Sequence, residues 1–279
     1  MDIDLILKIG GSCFSNKILL QKALKTHNQE DIKAAVNINS KNIDQIAAEI
    51  RAIYPSNKNM IILTGVGTPG HYTVLKHKLH KGNTGELKQH LGLLEAQIIV
   101  NYLRQSILEA FLKYEVPVFQ AYASSMYESD KMRIIRANTE NIEKFLASGL
   151  VPVISGDMVP DVTMGYSVLS GDQILADLAR KFKPKKIVYG SDVDGIFTLD
   201  PKMDSRSRLI PKISRNEIKS IIKKLSSGDA SGQMSGKLTE IKNLLDSGFH
   251  DIILLNLTKP GVLQRVLNNE EEFHTRFFL

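Results

Sequence analysis

Short, almost purely apolar runs alternate along the chain with longer stretches in which apolar residues recur every three or four positions. Uninterrupted apolar runs are typical of strands that are buried on both faces of a parallel sheet. They predict strands at 5–9, 60–64, 116–122, 150–155, 186–189 and 251–256, and the periodic stretches predict helices at 42–53, 86–114, 139–147, 172–181 and 237–247. This alternation predicts an α/β protein, a doubly wound three-layer α/β/α sandwich around a mainly parallel open sheet.

No repeat, low-complexity segment or Pro/Ser-rich linker divides the chain. The pattern predicts two lobes that share one continuous sheet, an N-terminal lobe at 1–180 and a C-terminal lobe at 181–279. Segment 200–236 is poor in apolar residues until a helical pattern at 217–225. We therefore expect surface loops or a lid in that segment.

Composition excludes several classes of protein. The 279 residues include 36 Lys and Arg against 30 Asp and Glu, a net charge of +6. These lysines are scattered rather than interleaved with aromatic residues in a basic stripe, so no nucleic-acid partner is expected. No apolar stretch approaches the roughly 18 residues of a membrane span, so no membrane association is expected. With the single cysteine Cys13 and no signal peptide ahead of the first strand, we expect a cytoplasmic protein without disulfides.

The first predicted strand ends in the sequence K-I-G-G-S, residues 8–12. Two glycines after a strand allow a tight turn whose N–H groups point outward, and a turn of this kind at a helix N-terminus suits phosphate. Lys8 lies inside the strand, where an unpaired ammonium is costly, and beside the turn it would meet phosphate oxygens. From this stretch alone, an edge-strand lysine that faces water and a plain turn fit equally well.

The second predicted strand leads into Gly65, Gly67 and Gly70, which spell the G-x-G-x-x-G pattern of dinucleotide-binding proteins. The context argues against that interpretation. Pro69 removes an N–H donor where the backbone would approach a pyrophosphate. Glu86 has the spacing of a ribose-binding acid, but it follows a polar loop rather than a second strand.

His71 comes directly after this pattern, at the mouth of a predicted helix. There it could donate a hydrogen bond to a small anion, although a surface histidine at a helix start is the more common case. Further glycine turns follow later strands, at Gly156, before Asp172 and before Asp192. Asp172 could cap its helix or organise lysines and a magnesium ion. Lys237 follows a glycine as in a Walker A loop, but the residues around it depart from the P-loop pattern.

Five segments, in this order along the chain, together resemble the amino acid kinase family: K-x-G-G-S (8–12), G-x-G-x-x-G-H (65–71), S-G-D-Q (170–173), S-D-V-D-G-I-F-T (191–198) and D-x-x-G-x-M-x-x-K (229–237). The resemblance implies an acceptor-binding N-terminal lobe, a C-terminal lobe that binds Mg-ATP, and a homodimer formed through the N-terminal lobes. Within the family, the histidine that ends the second segment most resembles isopentenyl phosphate kinases and the related fosfomycin kinases.

The resemblance also implies a role for each matching residue. Catalytic roles fall to Lys8, Lys17, His71 and Asp172. The ATP-binding positions are Lys8, Gly10, Gly11, Ser12, Gly67, Asp192, Gly232 and Lys237, and the acceptor-binding positions are Val66, Gly67, Gly70, His71 and Gly156. Mg²⁺ would be held mainly by the ATP phosphates, with Asp172 nearby. The implied reaction transfers the γ-phosphoryl group of ATP to a small phosphate monoester, isopentenyl phosphate above others, and needs no general base because the attacking oxygen is already anionic.

Two departures from the family pattern bear on the acceptor. Thr68 and Pro69 stand where isopentenyl phosphate kinases usually have Ser and Phe, and Gln233 replaces a glycine. The apolar helix at 91–112 could wall a prenyl pocket or simply pack on the sheet. A kinase of a phosphonate such as fosfomycin, a non-catalytic nucleotide-binding relative and a dinucleotide-dependent oxidoreductase remain the alternatives.

Overall fold

The computed structural model describes residues 2–199, 201, 204–226, 233–270 and 273–279. Its strands are β1 (Leu5–Ile9), β2 (Met60–Thr64), β3 (Val118–Ala121), β4 (Tyr127–Asp130), β5 (Arg133–Ala137), β6 (Val151–Ser155), β7 (Asp157–Asp161), β8 (Gly165–Leu169), β9 (Lys186–Ser191), β10 (Ile196–Phe197), β11 (Leu209–Ile210), β12 (Lys212–Ser214), β13 (Ile252–Asn256) and β14 (His274–Phe278). Its helices are α1 (Lys17–Thr26), α2 (Gln29–Val36), α3 (Ser40–Ile53), α4 (Gly67–Lys76), α5 (Leu87–Lys113), α6 (Ala123–Met126), α7 (Glu140–Ala147), α8 (Gly171–Phe182), α9 (Arg215–Ser226), α10 (Gln233–Asp246) and α11 (Val262–Leu267).

The central sheet has eight strands in the order β12-β14-β13-β9-β1-β2-β6-β3. All six predicted strands lie in it, and all six run parallel. At one edge, β14 pairs antiparallel with β13, and β12 pairs parallel with β14. The predicted mainly parallel sheet is therefore confirmed, with an antiparallel edge that the sequence pattern did not indicate. The division into lobes at residue 180 stays a prediction.

Alternate residues of the central strands contribute to opposite cores. Ile6 of β1 packs into the core beneath α7, α8, α9 and α10. Its neighbours Leu5 and Leu7 pack into the other core, beneath α3, α5 and α11. Because a strand turns successive side chains to opposite faces, a strand between two helical layers must be apolar throughout. This arrangement confirms the three-layer α/β/α sandwich.

A second, four-stranded sheet was missed in the sequence. It consists of two hairpins, β4–β5 and β7–β8, joined by a parallel pairing of β4 with β7. The buried carboxylate of Asp161 organises it by accepting hydrogen bonds from the backbone N–H groups of Lys131 and Met132, both at positive φ. Strands such as Arg133–Ala137 are mostly exposed and lack a continuous apolar run, which is why the pattern gave no signal.

Helices α1 and α2 were not predicted either. Each begins at an asparagine whose side chain accepts a hydrogen bond from the first turn, Asn16 for α1 and Asn28 for α2. They pack with α4 around a small separate core that includes Ala35 and Tyr72. Within the described ranges, none of the helices is long and apolar enough to cross a bilayer.

Candidate active site

The glycine turns gather at the carboxyl ends of the central strands. The N–H of Gly65 donates to the carbonyl of Ile9 at 2.8 Å, and the N–H of Gly10 donates to the carbonyl of Gly190 at 2.9 Å. Each turn thus continues the hydrogen bonding of the parallel sheet one residue beyond its strand. In an open α/β sheet this edge is where ligands bind.

The first and second turns pack directly against each other. A Cβ atom added to Gly11 would lie 2.5 Å from both the Cα and the N of Gly67. Gly67 itself has φ +58°, which favours glycine. The Ser15 hydroxyl ties the two turns together: it donates to the carbonyl of Gly11 and accepts from the N–H of Thr68, both at 2.8 Å. Two motifs that are 56 positions apart in sequence therefore form one structure, because only glycines allow their backbones this close.

Lys8 forms a buried ion pair with Asp172 of α8. Ser170 caps this helix by accepting a hydrogen bond from the N–H of Gln173, so capping does not explain Asp172. Lys8 is only 6% exposed, and burying its ammonium requires the opposite charge that Asp172 supplies. The structure thus resolves both alternatives: Lys8 is not an edge-strand lysine, and Asp172 is not a cap.

A second lysine, Lys237 of α10, is buried on the same side of the sheet. Its ammonium lies 5.8 Å from the centroid of the Tyr189 ring. Burial lowers the pKa of Lys237, the charge of Asp172 opposes that shift, and the charge of Lys8 adds to it. The two lysines are thus close enough to repel each other, with Asp172 acting on both. A site with two buried lysines is suited to anionic ligands.

His71 lies in the second turn of α4, not at its mouth as the sequence suggested, since the helix already begins at Gly67. Burial lowers the pKa of His71, and the positive charge of Lys8 lowers it further. The neutral imidazole, which keeps one N–H donor, is therefore favoured near neutral pH. The electrostatic effect of Lys8 on His71 indicates that the two side chains are near each other, which favours a site histidine over a surface histidine at a helix start.

Asp192 follows β9 at the same edge of the sheet. Its charge acts on Lys237 and on the buried thiol of Cys13, the residue that follows Ser12. Asp194, two positions further along, pairs instead with Lys259 at 2.7 Å. Of the two aspartates, Asp192 is therefore the one whose charge acts on Lys237, as expected for the predicted ATP-binding position.

The first turn is built differently from the expectation. Gly11–Cys13 form a single turn of 3-10 helix that contains Ser12, and α1 begins only at Lys17. The turn is therefore not placed at an α-helix N-terminus. Lys17 is the first residue of α1, but its side chain lies outside the described part, as does the whole of Gly232.

The turn at Gly156 lies between β6 and β7 and packs against α8. A Cβ on Gly156 would be 3.2 Å from the N of Gly171. In α4, a Cβ on Gly70 would be 2.6 Å from Val66 and 3.3 Å from Val100 of α5. Gly70 and Val66 therefore lie where α4 meets α5, whereas Gly156 lies where the turn after β6 meets the start of α8.

Sequence reasoning missed two features here. One is a buried ion pair at 2.8 Å between Arg104 of α5 and Asp157, the residue after Gly156. The other is Tyr189, which lies beneath Lys237. The only signal for either was a charged or aromatic residue within an apolar stretch. In the described part of the chain, no group of three or more His, Cys, Asp or Glu side chains is placed to hold a metal ion.

Comparisons with known proteins agree with this geometry. The model of the family described as "Amino acid kinase family" matches residues 5–256. The isopentenyl phosphate kinase of Methanothermobacter thermautotrophicus is 30% identical over 278 residues, 98% of each chain, and that of Methanocaldococcus jannaschii is 29% identical over 96% of each. A solved isopentenyl phosphate kinase structure superposes with a TM-score of 0.77 at 27% identity over 98% of both chains. UMP kinase from Ureaplasma parvum, at 19% identity and a TM-score of 0.64, shares the fold.

Proposed function

Because the chain belongs to the amino acid kinase family, we propose that it transfers the γ-phosphoryl group of Mg-ATP to isopentenyl phosphate and forms isopentenyl diphosphate. The observation that carries this proposal is the convergence of Lys8, Lys237 and His71 on two interlocked glycine turns. The similarity to isopentenyl phosphate kinases over nearly the whole chain supports the choice of acceptor.

Phosphoryl transfer between two phosphates must overcome repulsion between anions, which makes charge neutralisation and alignment the main tasks of the protein. Lys8 contacts the transferring phosphoryl group, and Lys237 contacts the β- and γ-phosphates of ATP. The backbone N–H groups of Gly11 and Gly67 face the phosphate oxygens. The N–H of Gly10 donates to the carbonyl of Gly190, so Gly10 lines the phosphates without donating this hydrogen bond to them. From the sequence resemblance, we assign Lys17 to the same transferring phosphoryl group as Lys8.

His71 donates a hydrogen bond from its neutral imidazole to the acceptor phosphate. A neutral histidine orients the acceptor without adding a proton to the oxygen that must attack. Since that oxygen is already anionic near neutral pH, the site needs no general base, and the described residues act by positioning and electrostatics.

Oxygen ligands suit Mg²⁺, which normally keeps several waters and binds one or two carboxylates together with substrate phosphates. Asp172 and Asp192 are the carboxylates that act on Lys237 and so fit this role. When bound, Mg²⁺ would supply positive charge that neutralises the phosphates. Asp172 also holds Lys8, which fixes the lysine relative to the nucleotide.

The unusual Thr68 has a structural explanation. Its hydroxyl donates to the carbonyl of Ala35 in α2 at 2.6 Å, so the side chain anchors α4 to α2. This contact uses the one polar group by which Thr68 could have contacted an acceptor. We therefore infer that the departure at Thr68 leaves the acceptor class unchanged.

The test is turnover of an acceptor panel in an ATPase-coupled or isotope assay. We expect phosphorylation of isopentenyl phosphate and dimethylallyl phosphate, and weak or no turnover of fosfomycin. Replacing His71 with Ala should raise the KM for the prenyl phosphate by about tenfold or more, the loss of one hydrogen bond to a charged group, while the KM for ATP changes little. Turnover of fosfomycin alone, or of none of the three, contradicts the proposal.

We also propose that the protein is a cytoplasmic homodimer. On α5, Leu91, Leu94, Ile98 and Tyr102 are each more than half exposed and lie at helical spacing. Such a stripe is unusual on a monomer, and a second copy could cover it with the same stripe. Sedimentation equilibrium at micromolar concentration tests this, and a monomer that stays monomeric would contradict it.

A further inference from the structure

Tyr189 is the neighbour of Lys8 in the central sheet. The two residues are paired in register between the parallel strands β9 and β1, so their side chains leave the same face. Tyr189 is fully buried, with its ring beneath the ammonium of Lys237 at 5.8 Å. In the described part of the chain its hydroxyl has no hydrogen-bond partner. It is therefore an aromatic residue of the core that extends directly beneath the phosphate-binding site.

We propose that Tyr189 is a positioning residue that holds the Lys237 side chain over the phosphates through the face of its aromatic ring. The inference rests on the proposed function, in which Lys237 binds the β- and γ-phosphates of ATP. It assigns to Tyr189 a part in nucleotide binding, although the residue itself need not touch the nucleotide.

A buried lysine in a binding site needs a partner that fixes its ammonium but leaves its positive charge available to the ligand. Lys8 is held by a carboxylate, which balances much of its charge. An aromatic ring attracts an ammonium through its quadrupole, and does so more strongly where water is excluded, but it carries no net charge. Asp172 and Asp192 act on Lys237 electrostatically, but the ring adds no negative charge of its own, so this contact does not compete with a phosphate for the charge of the lysine.

The ring also restricts a flexible side chain. Lysine has a four-carbon stem whose ordering costs rotamer entropy. A flat surface beneath the ammonium limits where the group can lie before ATP arrives. The side chain therefore loses less conformational entropy when ATP binds. Burial raises the pKa of Tyr189 well above its ordinary value, and the charges of Asp172 and Glu240 raise it further. The hydroxyl therefore stays neutral and adds no charge to the site.

The experiment compares Tyr189→Leu and Tyr189→Phe by calorimetric binding of a non-hydrolysable Mg-ATP analogue, together with the KM values for ATP and acceptor. We expect Tyr189→Leu to weaken nucleotide binding about tenfold, with the acceptor KM within about twofold. Tyr189→Phe keeps the ring and should bind within about twofold of the parent. In a double-mutant cycle, Tyr189→Leu should add less than about twofold once Lys237 has been replaced by Met.

Tyr127→Leu is the matched control, because Tyr127 is a buried tyrosine of the same core. It should lower the melting temperature as Tyr189→Leu does and leave nucleotide binding unchanged. Should Tyr189→Leu fail to fold, Tyr189→Met, whose flexible side chain fills irregular space and has no ring, serves in its place.

Three results would overturn the inference: normal nucleotide binding by Tyr189→Leu, binding by Tyr189→Phe as weak as that by Tyr189→Leu, or additive effects of the Tyr189 and Lys237 substitutions. A parent protein that binds no nucleotide is a different result, because it overturns the proposed function first.

Discussion

Two buried ion pairs lie near the carboxyl edge of the central sheet, and they differ in what surrounds them. Lys8–Asp172 has a second buried lysine, Lys237, within its electrostatic range. Arg104–Asp157 is balanced one to one, with the two side chains 5% and 7% exposed. Asp172 and Asp192 both act on Lys237, so the first pair belongs to a cluster of several charges, whereas the second pair is balanced within itself.

The partners of each pair also differ. Arg104 donates a second hydrogen bond to Asn101 at 2.8 Å and lies 5.1 Å from the centroid of the Tyr122 ring, while Asp157 accepts from the N–H of Met158. These contacts fix the planar guanidinium between α5 and the turn after β6. A lysine presents a compact charge that a ligand can share, whereas this arginine is committed to protein contacts. The comparison supports the proposed binding role of Lys8 and indicates that Arg104 stabilises the packing of α5 against the turn after β6.

The largest expected effect comes from removing Lys8, the lysine assigned to the transferring phosphoryl group. Lys8→Met should lower kcat/KM by about 10³-fold, because a preorganised charge at the reacting phosphoryl group is lost. The fold should survive, since Lys237 remains to compensate Asp172. Steady-state kinetics and urea unfolding of the same preparation measure both quantities.

Lys185→Met is the matched control for this experiment. Lys185 also pairs with one aspartate, Asp4 at 2.8 Å, but its side chain is 64% exposed. It lies immediately before β9, at the amino ends of the parallel strands and so away from the glycine turns. Its replacement should leave kcat/KM within about twofold, as is usual for a surface position. If Lys8→Met and Lys185→Met had equal activity, Lys8 would not belong to the reacting site.

The second pair should respond in the opposite way. Arg104→Met leaves the Asp157 carboxylate buried without its partner, so the free energy of unfolding should fall by about 3 kcal/mol. The double variant Arg104→Met/Asp157→Leu removes both charges and should recover most of that loss. Urea denaturation measures both variants, and their KM for ATP should match that of the parent.

A failure of the double variant to recover stability would contradict the structural interpretation. In that case the Arg104–Asp157 contacts would stabilise the fold beyond the neutralisation of each buried charge by the other. A loss of nucleotide affinity in the double variant would contradict the comparison itself, because it would place Arg104 in the nucleotide site.

The residues of the two ion pairs also differ in how well the sequence identified them. Lys8 was identifiable because a charge inside an apolar strand next to a glycine turn is a local pattern. Its partner Asp172 lies more than 160 positions away, and the resemblance to a family, rather than any spacing rule, linked the two residues. Arg104 stands within an apolar helix whose charged residues are mostly exposed, so nothing local distinguished it from them.

The fold was predictable to a similar extent. Strands buried on both faces are marked by uninterrupted apolar runs, and every end of the six predicted strands lies within two residues of the observed end. The hairpins β4–β5 and β7–β8 depend on one buried carboxylate, Asp161, and on positive φ angles at Lys131 and Met132. Stabilisation of this kind comes from tertiary contacts, which a one-dimensional pattern does not contain.

The smallest expected effect uses Cys13 as a reporter of the charge around the first pair. Burial raises the pKa of its thiol to about 12, although the charges of Lys237 and Lys8 act in the opposite direction. The folded-state pKa lies above the unfolded value of 9.0, so between these values the thiol ionises only in the unfolded chain. Rising pH should then lower the free energy of unfolding by up to about 1.4 kcal/mol per pH unit through this group, and Cys13→Ala should remove that contribution.

The same thiol can be tested by chemical labelling. Native protein at about pH 8 should react with iodoacetamide only as fast as it unfolds, because the thiolate is the reactive form. Rapid labelling of the folded protein would mean that the thiol is accessible and that the site is more open than the packing of its glycine turns indicates.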